Sequence, residues 1–459
     1  MKTLIRRIAA FCLAVCLLPV WALAEEAEPV KAQPTPYPGK LQMVVEYEEW
    51  TAEDGRVTEV GIPVTCRRDV NKALRQAQQE LWLETLPHAE TEDQVEMMAT
   101  FRVSGEDWAG FLLTGRVIRV IDVKGGNDYD ETVFLTHRVL TYDMRTGTPL
   151  TLADVFDEGS EAWKMVAAEM EKQLRAYYPD LPRKEAYISE CCDPAALAQM
   201  AFLPCAGRLM LSVPLWPALE GRNQLVPVNL YYPDYRPLMT DAALAQTDNS
   251  HRPIVAVTYD DGPSLFYTPK VRRHLATYGA SASFFIVANK MLGLADGVRS
   301  AMDYGHSVGS HTYDHVYEFQ VGTGTLRENR QMCLDAHREK LGVEPLLFRA
   351  PGGHCEKYVE AEIGWPIILW SYSAGDTGNN TAPQLARRII EGSEDGDILL
   401  MHDIHKKTAI GSETFLKEMT EMGFMFATVE EVLYLHGYTI EPNMVYHSGY
   451  TPVMTDGLV

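Results

Sequence analysis

No C-x-x-C pair occurs anywhere in the 459 residues, which excludes a zinc ribbon or a thioredoxin-like redox site. Cationic side chains are scarce: 41 Lys and Arg stand against 63 Asp and Glu, a net charge of −22. Nucleic acid is bound largely by neutralising phosphates, so a chain this acidic is poorly suited to it, or to docking on anionic lipid. A neutral glycan polymer is compatible with such a surface. Long apolar runs are also missing, except for Ile8 to Val20 at the very start. That run is shorter than the roughly 20 residues of a membrane span. Lys2, Arg6 and Arg7 precede it, and Trp21-Ala22-Leu23-Ala24 supplies a small-x-small cleavage pattern. Residues 1–24 therefore read as a signal peptide, with export and no membrane span after cleavage.

Export changes the meaning of the cysteines. Cys66, Cys191, Cys192, Cys205, Cys333 and Cys355 remain after residue 24, and outside the cell they are permitted to pair. Vicinal Cys191 and Cys192 are too close to bond each other well, which favours a bridge from one of them to Cys66 or Cys205, with free buried thiols as the other outcome.

The length calls for two domains. Residues 25–40, with Pro29, Pro34, Pro36 and Pro38, read as a flexible tether. Residues 41–238 mix short β-like runs with helical patterns at Asp69 to Leu86, with Asp69 as N-cap, and at about Ser160 to Tyr177, which predicts an α+β domain. Residues 239–250 are small and polar, without apolar period, and are expected to be a linker; residues 441–459 form a tail. Between them, residues 251–440 alternate apolar runs with amphipathic stretches, the pattern of repeated β-α units. Strands are predicted at Ile254–Tyr259, Ser283–Val287, Ser307–Gly309, Leu346–Phe348, Ile367–Trp370, Ile398–Met401 and Phe424–Thr428, with the clearest helices at Thr325–Lys340 and Ala382–Glu391. Polar chemistry follows the strand ends at Asp260-Asp261, His311, Arg349, Asp376 and His402, the face on which parallel β/α folds build active sites.

Each cluster has a bland reading alone. Asp260-Asp261-Gly262-Pro263 is turn-like, yet adjacent acids at a strand end call for a cation or a proton. His311 and His315, at i and i+4, share a face if the segment is helical and suit a divalent metal with one carboxylate. His306 is read as structural. His402 is placed to act as a general acid, with Asp376 favouring its protonated form. Arg349 could orient a carboxylate through paired hydrogen bonds, and the Pro351-Gly352-Gly353 turn could aim a backbone N–H at substrate.

Taken together and in order, TYDDGP, SHTYDH, FRAPGG, WSYSAGD and LLMHDIHKKT resemble the five motifs of NodB-like polysaccharide deacetylases, carbohydrate esterase family 4. The resemblance covers roughly residues 252–438. It implies an α/β fold, a distorted (β/α)7 barrel behind the smaller α+β domain, and hydrolysis of N-acetyl groups on a glycan. By matched position, Asp261, His311 and His315 would hold a divalent metal, zinc foremost, with cobalt, nickel, manganese or iron also fitting. Asp260 would be the base, Gly352 N–H an oxyanion donor, and His402 the acid tuned by Asp376, with Arg349 completing the set. Departures fall in the substrate pocket: Gly352 stands where the family usually has Tyr, Ser373 replaces an Asp, and Thr377 replaces the Trp of the acetyl pocket. Pro351, Thr377 and Tyr372 are the residues expected to line that pocket here, which is then either wider or filled by another residue, with Tyr372 as one candidate. Residues Arg145 to Phe156 are similar to part of a domain found ahead of such deacetylases and in some anti-sigma factors, which implies wall binding or positioning. The expected protein is thus a secreted, cell-wall-associated deacetylase acting on peptidoglycan GlcNAc or MurNAc. The competing readings are another acetylated polysaccharide (chitin-like, xylan or exopolysaccharide), or a glycan-binding sensor whose metal-bound barrel is inactive.

Overall fold

The computed structural model describes residues 35–36, 42–121, 129–179, 185–217, 223–450 and 452–453. Residues 1–24, expected to be a signal peptide, most of the expected tether 25–40, and residues 451 and 454–459 of the expected tail lie outside them. Among the described residues, no helix is long and apolar enough to cross a membrane.

The first half is built on one long sheet. Gln42–Thr51, Val57–Thr65, Gln94–Ser104, Trp108–Ile121 and Tyr129–Asp143 are neighbours in that order, antiparallel except where Val57–Thr65 meets Gln94–Ser104. The one parallel junction is bridged by the helix Arg68–Thr85, as a parallel crossover requires. Val70, Leu74, Leu81 and Thr85 bury one face of that helix, and Ala77 packs beside them. Asp69 is not its N-cap. The helix begins at Arg68, uncapped, and the Asp69 carboxylate is drawn aside to Arg67 at 2.6 Å. The second expected helix spans Ala162–Ala176. Residues 239–250 are more ordered than a linker reading suggests: Thr240 caps the helix Asp241–Gln246, and buried Asn249 bonds Ser104 Oγ and the Ala206 carbonyl.

The second half is a ring of parallel strands. Ile254–Asp260 pairs with Ser283–Ile286, and that strand with Ser307–Ser310. Ser310 bridges to Phe348, and Phe348 to Ile367. The same stretch continues to Tyr372–Ser373, which pairs with Ile398–His402, which returns to Ile254–Asp260. Met425–Ala427, the seventh position, pairs only with the start of the first strand. This is a distorted (β/α)7 barrel. The fourth strand shrinks to the bridge at Phe348, because Pro345 has no N–H to donate and Leu346 lies exposed. Alternation along the strands is clean. Ala256, Phe285, Ile368 and Ile398 fill the interior, whereas Val255, Val257, Phe284, Leu399 and Met401 face the helices. The helices Thr323–Leu341 and Ala382–Gly392 stand where the amphipathic pattern put them.

The first half packs on the barrel's floor, the end away from the site. Arg116 is buried and pairs with Asp303 at 2.5 Å. Arg102 donates to the Tyr304 carbonyl at 2.9 Å, and Arg208 to the Gly305 carbonyl at 2.6 Å. Gly305 is tight for a further reason: a Cβ there would lie 2.3 Å from Met210 Sδ. All six described cysteines are free thiols. The expected bridge from Cys191 or Cys192 is absent. Cys205 is buried in an apolar cluster with Leu203 and Met210, while Cys66 is exposed.

Candidate metal centre and acid–base site

Strand alternation sends Thr258 and Asp260 into the barrel mouth with Ala256. Asp261 would then point outward, but its φ of +70° ends the strand and brings its carboxylate to the mouth as well. Gly262 must be small: a Cβ there would sit 2.5 Å from Asp403 Oδ1. Asp403 is buried behind this turn, hydrogen-bonded by Thr268, and burial pushes its carboxyl up to about 7.

His311 and His315 meet without a helix. The segment after Ser307–Ser310 is irregular, with Thr312 and His315 at φ +67° and +61°, and the two rings stand 5.1 Å apart. Such left-handed non-glycine residues are costly and cluster at functional sites. Nδ1 of His311 lies 2.8 Å from the Arg349 carbonyl, which can only accept, so Nδ1 carries the proton. In the neutral ring, Nε2 then presents a lone pair to Asp261 Oδ1 at 3.4 Å, while His315 Nε2 lies 3.1 Å from the same oxygen. That oxygen is buried and accepts no hydrogen bond. The three donor atoms lie within 4.8 Å of one another. A buried oxygen facing imidazole nitrogens, one oriented through its far nitrogen, fits a divalent cation between them.

Arg349 departs from the expected paired contact. It is wholly buried, and only Nη1 reaches Asp260, at 2.8 Å to Oδ1. The same nitrogen donates to Thr258 Oγ1, Nε to the Ile368 carbonyl and Nη2 to the Leu369 carbonyl. Arg349 thus ties three strands beneath the mouth. Burial pulls its pKa below the ordinary arginine value, and Asp260 opposes that.

On the neighbouring strand, His402 is in register with Asp260. His402 Nδ1 donates to Asp376 Oδ1 at 2.9 Å, its backbone N–H reaches Asp376 Oδ2 at 2.7 Å, and Thr408 Oγ1 donates to that same Oδ2. Burial works against the imidazolium, but Asp376, Asp260 and Asp261 outweigh it and raise His402 above its ordinary pKa. Burial works against the Asp376 carboxylate too, and the hydrogen bonds from His402 and Thr408 hold it below the usual range.

The expected pocket residues scatter. Pro351 is buried, Gly352 beside it is exposed at φ +71°, and Thr377 lies on an exposed turn. Tyr372 does not fill the pocket: it pairs with Leu399, a helix-facing residue, and its ring packs on Gly392. Alternation from interior Ile368 would have put Tyr372 inside; an irregularity around Ser371 flips it. The ring found near the glycine turn is Trp370, where a Cβ on Gly353 would meet it at 2.7 Å. Tyr317, against Gly352, and Lys290, which donates to the Asp261 carbonyl at 2.6 Å, were also not foreseen. The Gly352 and Gly353 steps hinted at close neighbours but not at which ones.

The polysaccharide deacetylase family profile matches residues 247–364. The chain is 34% identical over 178 residues to the peptidoglycan-N-acetylglucosamine deacetylase PgdA of Listeria monocytogenes, 39% of this chain and 38% of that protein. It therefore spans well under half the length of that relative. With a peptidoglycan-N-acetylglucosamine deacetylase of Bacillus cereus it shares 33% identity over 190 residues, 39% of this chain and 88% of that protein. With the peptidoglycan-N-acetylmuramic acid deacetylase PdaC of Bacillus subtilis it shares 22% over 187 residues, 41% of this chain and 40% of that protein. With nearly the whole of the Bacillus cereus protein matched at that identity, the chain belongs to the NodB-like polysaccharide deacetylases, carbohydrate esterase family 4.

Proposed function

We propose that this protein is an exported, metal-dependent deacetylase that hydrolyses N-acetyl groups of a cell-wall glycan, on GlcNAc or MurNAc units of peptidoglycan. The observation that carries the reading is the buried, unbonded Asp261 oxygen among two imidazoles, with Asp260 next to it in the chain and the His402–Asp376 pair on the strand neighbouring Asp260. Asp261, His311 and His315 would hold the cation. When bound, it would supply Lewis-acid polarisation of the acetyl carbonyl. The donor set suits zinc, and also cobalt, nickel, iron or manganese.

Asp260, steadied by Arg349, takes a proton from the attacking water as its oxygen bonds to the acetyl carbon. The Gly352 N–H faces the charge developing on the carbonyl oxygen. His402, held protonated by Asp376, gives its proton to the sugar nitrogen as the C–N bond breaks, leaving acetate and a free amine. Support for the polymer comes from the names of the relatives and from an acidic chain ill suited to polyanions; support for export comes from residues 1–24. The test is acetate release from purified peptidoglycan, with and without chelator. Chelator-sensitive release is expected; no release from any acetylated glycan by the metal-loaded protein would sink the reading.

A further inference from the structure

A row of aromatic rings runs outward from the metal-ligand trio. Tyr317 stands edge-on to His315, with centroids 5.0 Å apart, and Phe319 follows at 5.2 Å, tilted by 31°. His354 closes the row at 5.8 Å from Phe319. Phe319 is 61% exposed, a large apolar ring held in water. Tyr317 occupies the space beside Gly352: a Cβ there would lie 3.1 Å from Tyr317 Cε1. The glycine turn and the ring are thus fitted to each other.

The loop bearing these rings is pinned from beneath. Glu318, between them, is buried and accepts the Lys357 backbone N–H at 2.8 Å. Lys357 Nζ bonds the Glu318 and Val321 carbonyls, and Tyr358 Oη bonds the Val316 carbonyl. An exposed phenylalanine on an anchored loop is pre-organised for a ligand, because little order remains to be imposed on binding. A pyranose offers a face of C–H bonds to such rings and leaves its hydroxyls to water, and tyrosine adds a polar tip to an apolar body.

We propose that Tyr317 and Phe319 form a sugar-stacking subsite beside the metal-ligand trio, taking the pyranose next to the one whose acetamide is cleaved. This rests on the deacetylase reading above, and the test separates the two. Binding of an N-acetylglucosamine tetramer is measured by calorimetry on full-length, metal-loaded Asp260→Asn protein, where no turnover interferes. Adding Phe319→Ala should weaken the tetramer about tenfold, the scale of one lost stacking ring. Adding Phe319→Trp instead should retain the affinity. Equal affinity with alanine, or no tetramer binding by the Asp260→Asn parent, would overturn the subsite. Acetate release by the wild type reads the deacetylase proposal independently, since its failure would leave an alanine-sensitive binding signal standing.

Discussion

Arg349→Met is the perturbation whose outcome the geometry constrains most. Methionine matches the length of the aliphatic stem and is at home over the Phe285 ring, which the guanidinium now covers at 4.1 Å. Four hydrogen bonds disappear: those to Asp260, Thr258 and the Ile368 and Leu369 carbonyls. Asp260 is only 3% exposed and would be left as a buried carboxylate without its cation. Removing one partner of a buried pair costs about 3–5 kcal/mol. Each stranded carbonyl adds about 1–3 kcal/mol, offset in part because a buried guanidinium no longer has to be stripped of water. The expected net loss is about 4 kcal/mol, read as a shift of the urea midpoint followed by tryptophan fluorescence and circular dichroism. Asp260→Asn in the same background should recover part of it, with a coupling of about 1.5–3 kcal/mol between the two sites. A loss below about 1 kcal/mol, or strict additivity, would refute the claim that Arg349 stabilises the buried Asp260 charge.

Asp376→Asn should lower the pKa of His402, which Asp376 holds up. A general acid is lost as pH rises through its pKa, so the alkaline limb of the kcat profile should move to lower pH, with kcat down at least about tenfold. His315→Ala should weaken zinc binding, measured by calorimetry, by more than the roughly 10–100-fold that an outer hydrogen-bond partner is worth. Tyr372→Ala should lower the melting temperature, because the ring packs on Gly392, yet leave kcat/KM of the folded enzyme unchanged. Arg116→Met should cost about 3–5 kcal/mol in urea unfolding by stranding Asp303, with no effect on metal affinity.

The strand-end positions of Asp260, Asp261, His311 and His402 were legible because short continuous apolar runs and the polar residues that follow them are local signals. The geometry within the site was not. His311 and His315 meet through left-handed backbone at Thr312 and His315 rather than through a helix, and no spacing rule encodes that choice. The facing of Tyr372 was not legible, because an irregularity near Ser371 breaks the alternation carried on from Ile368 and turns Tyr372 to the side of Leu399. Arg349 was recognised as a carboxylate partner, but its other bonds go to backbone carbonyls, which carry no sequence signature. Tyr317 gains meaning only from contact with Gly352, 35 positions away, which is tertiary information. Residues 239–250 looked loose because their few apolar anchors, Met239 and Ala243, show no period, and the rest of their order comes from Asn249 reaching Ser104 and Ala206.

The arginine-laden floor also sets an order in time. Arg102, Arg116 and Arg208 leave the ribosome before the backbone groups and carboxylates that receive them: Tyr304, Asp303, Gly305 and, later still, Glu431. Phe101 and Met210 are likewise made before Gly279 and Gly305, the bare backbone that will cover them. During synthesis the earlier half therefore waits with an unfinished, cationic and partly greasy underside, a state prone to mispairing. Closure depends on residues near 303–305 and then on Glu431, so a nascent chain stalled before residue 303 would carry that underside uncovered, with none of the catalytic end yet assembled.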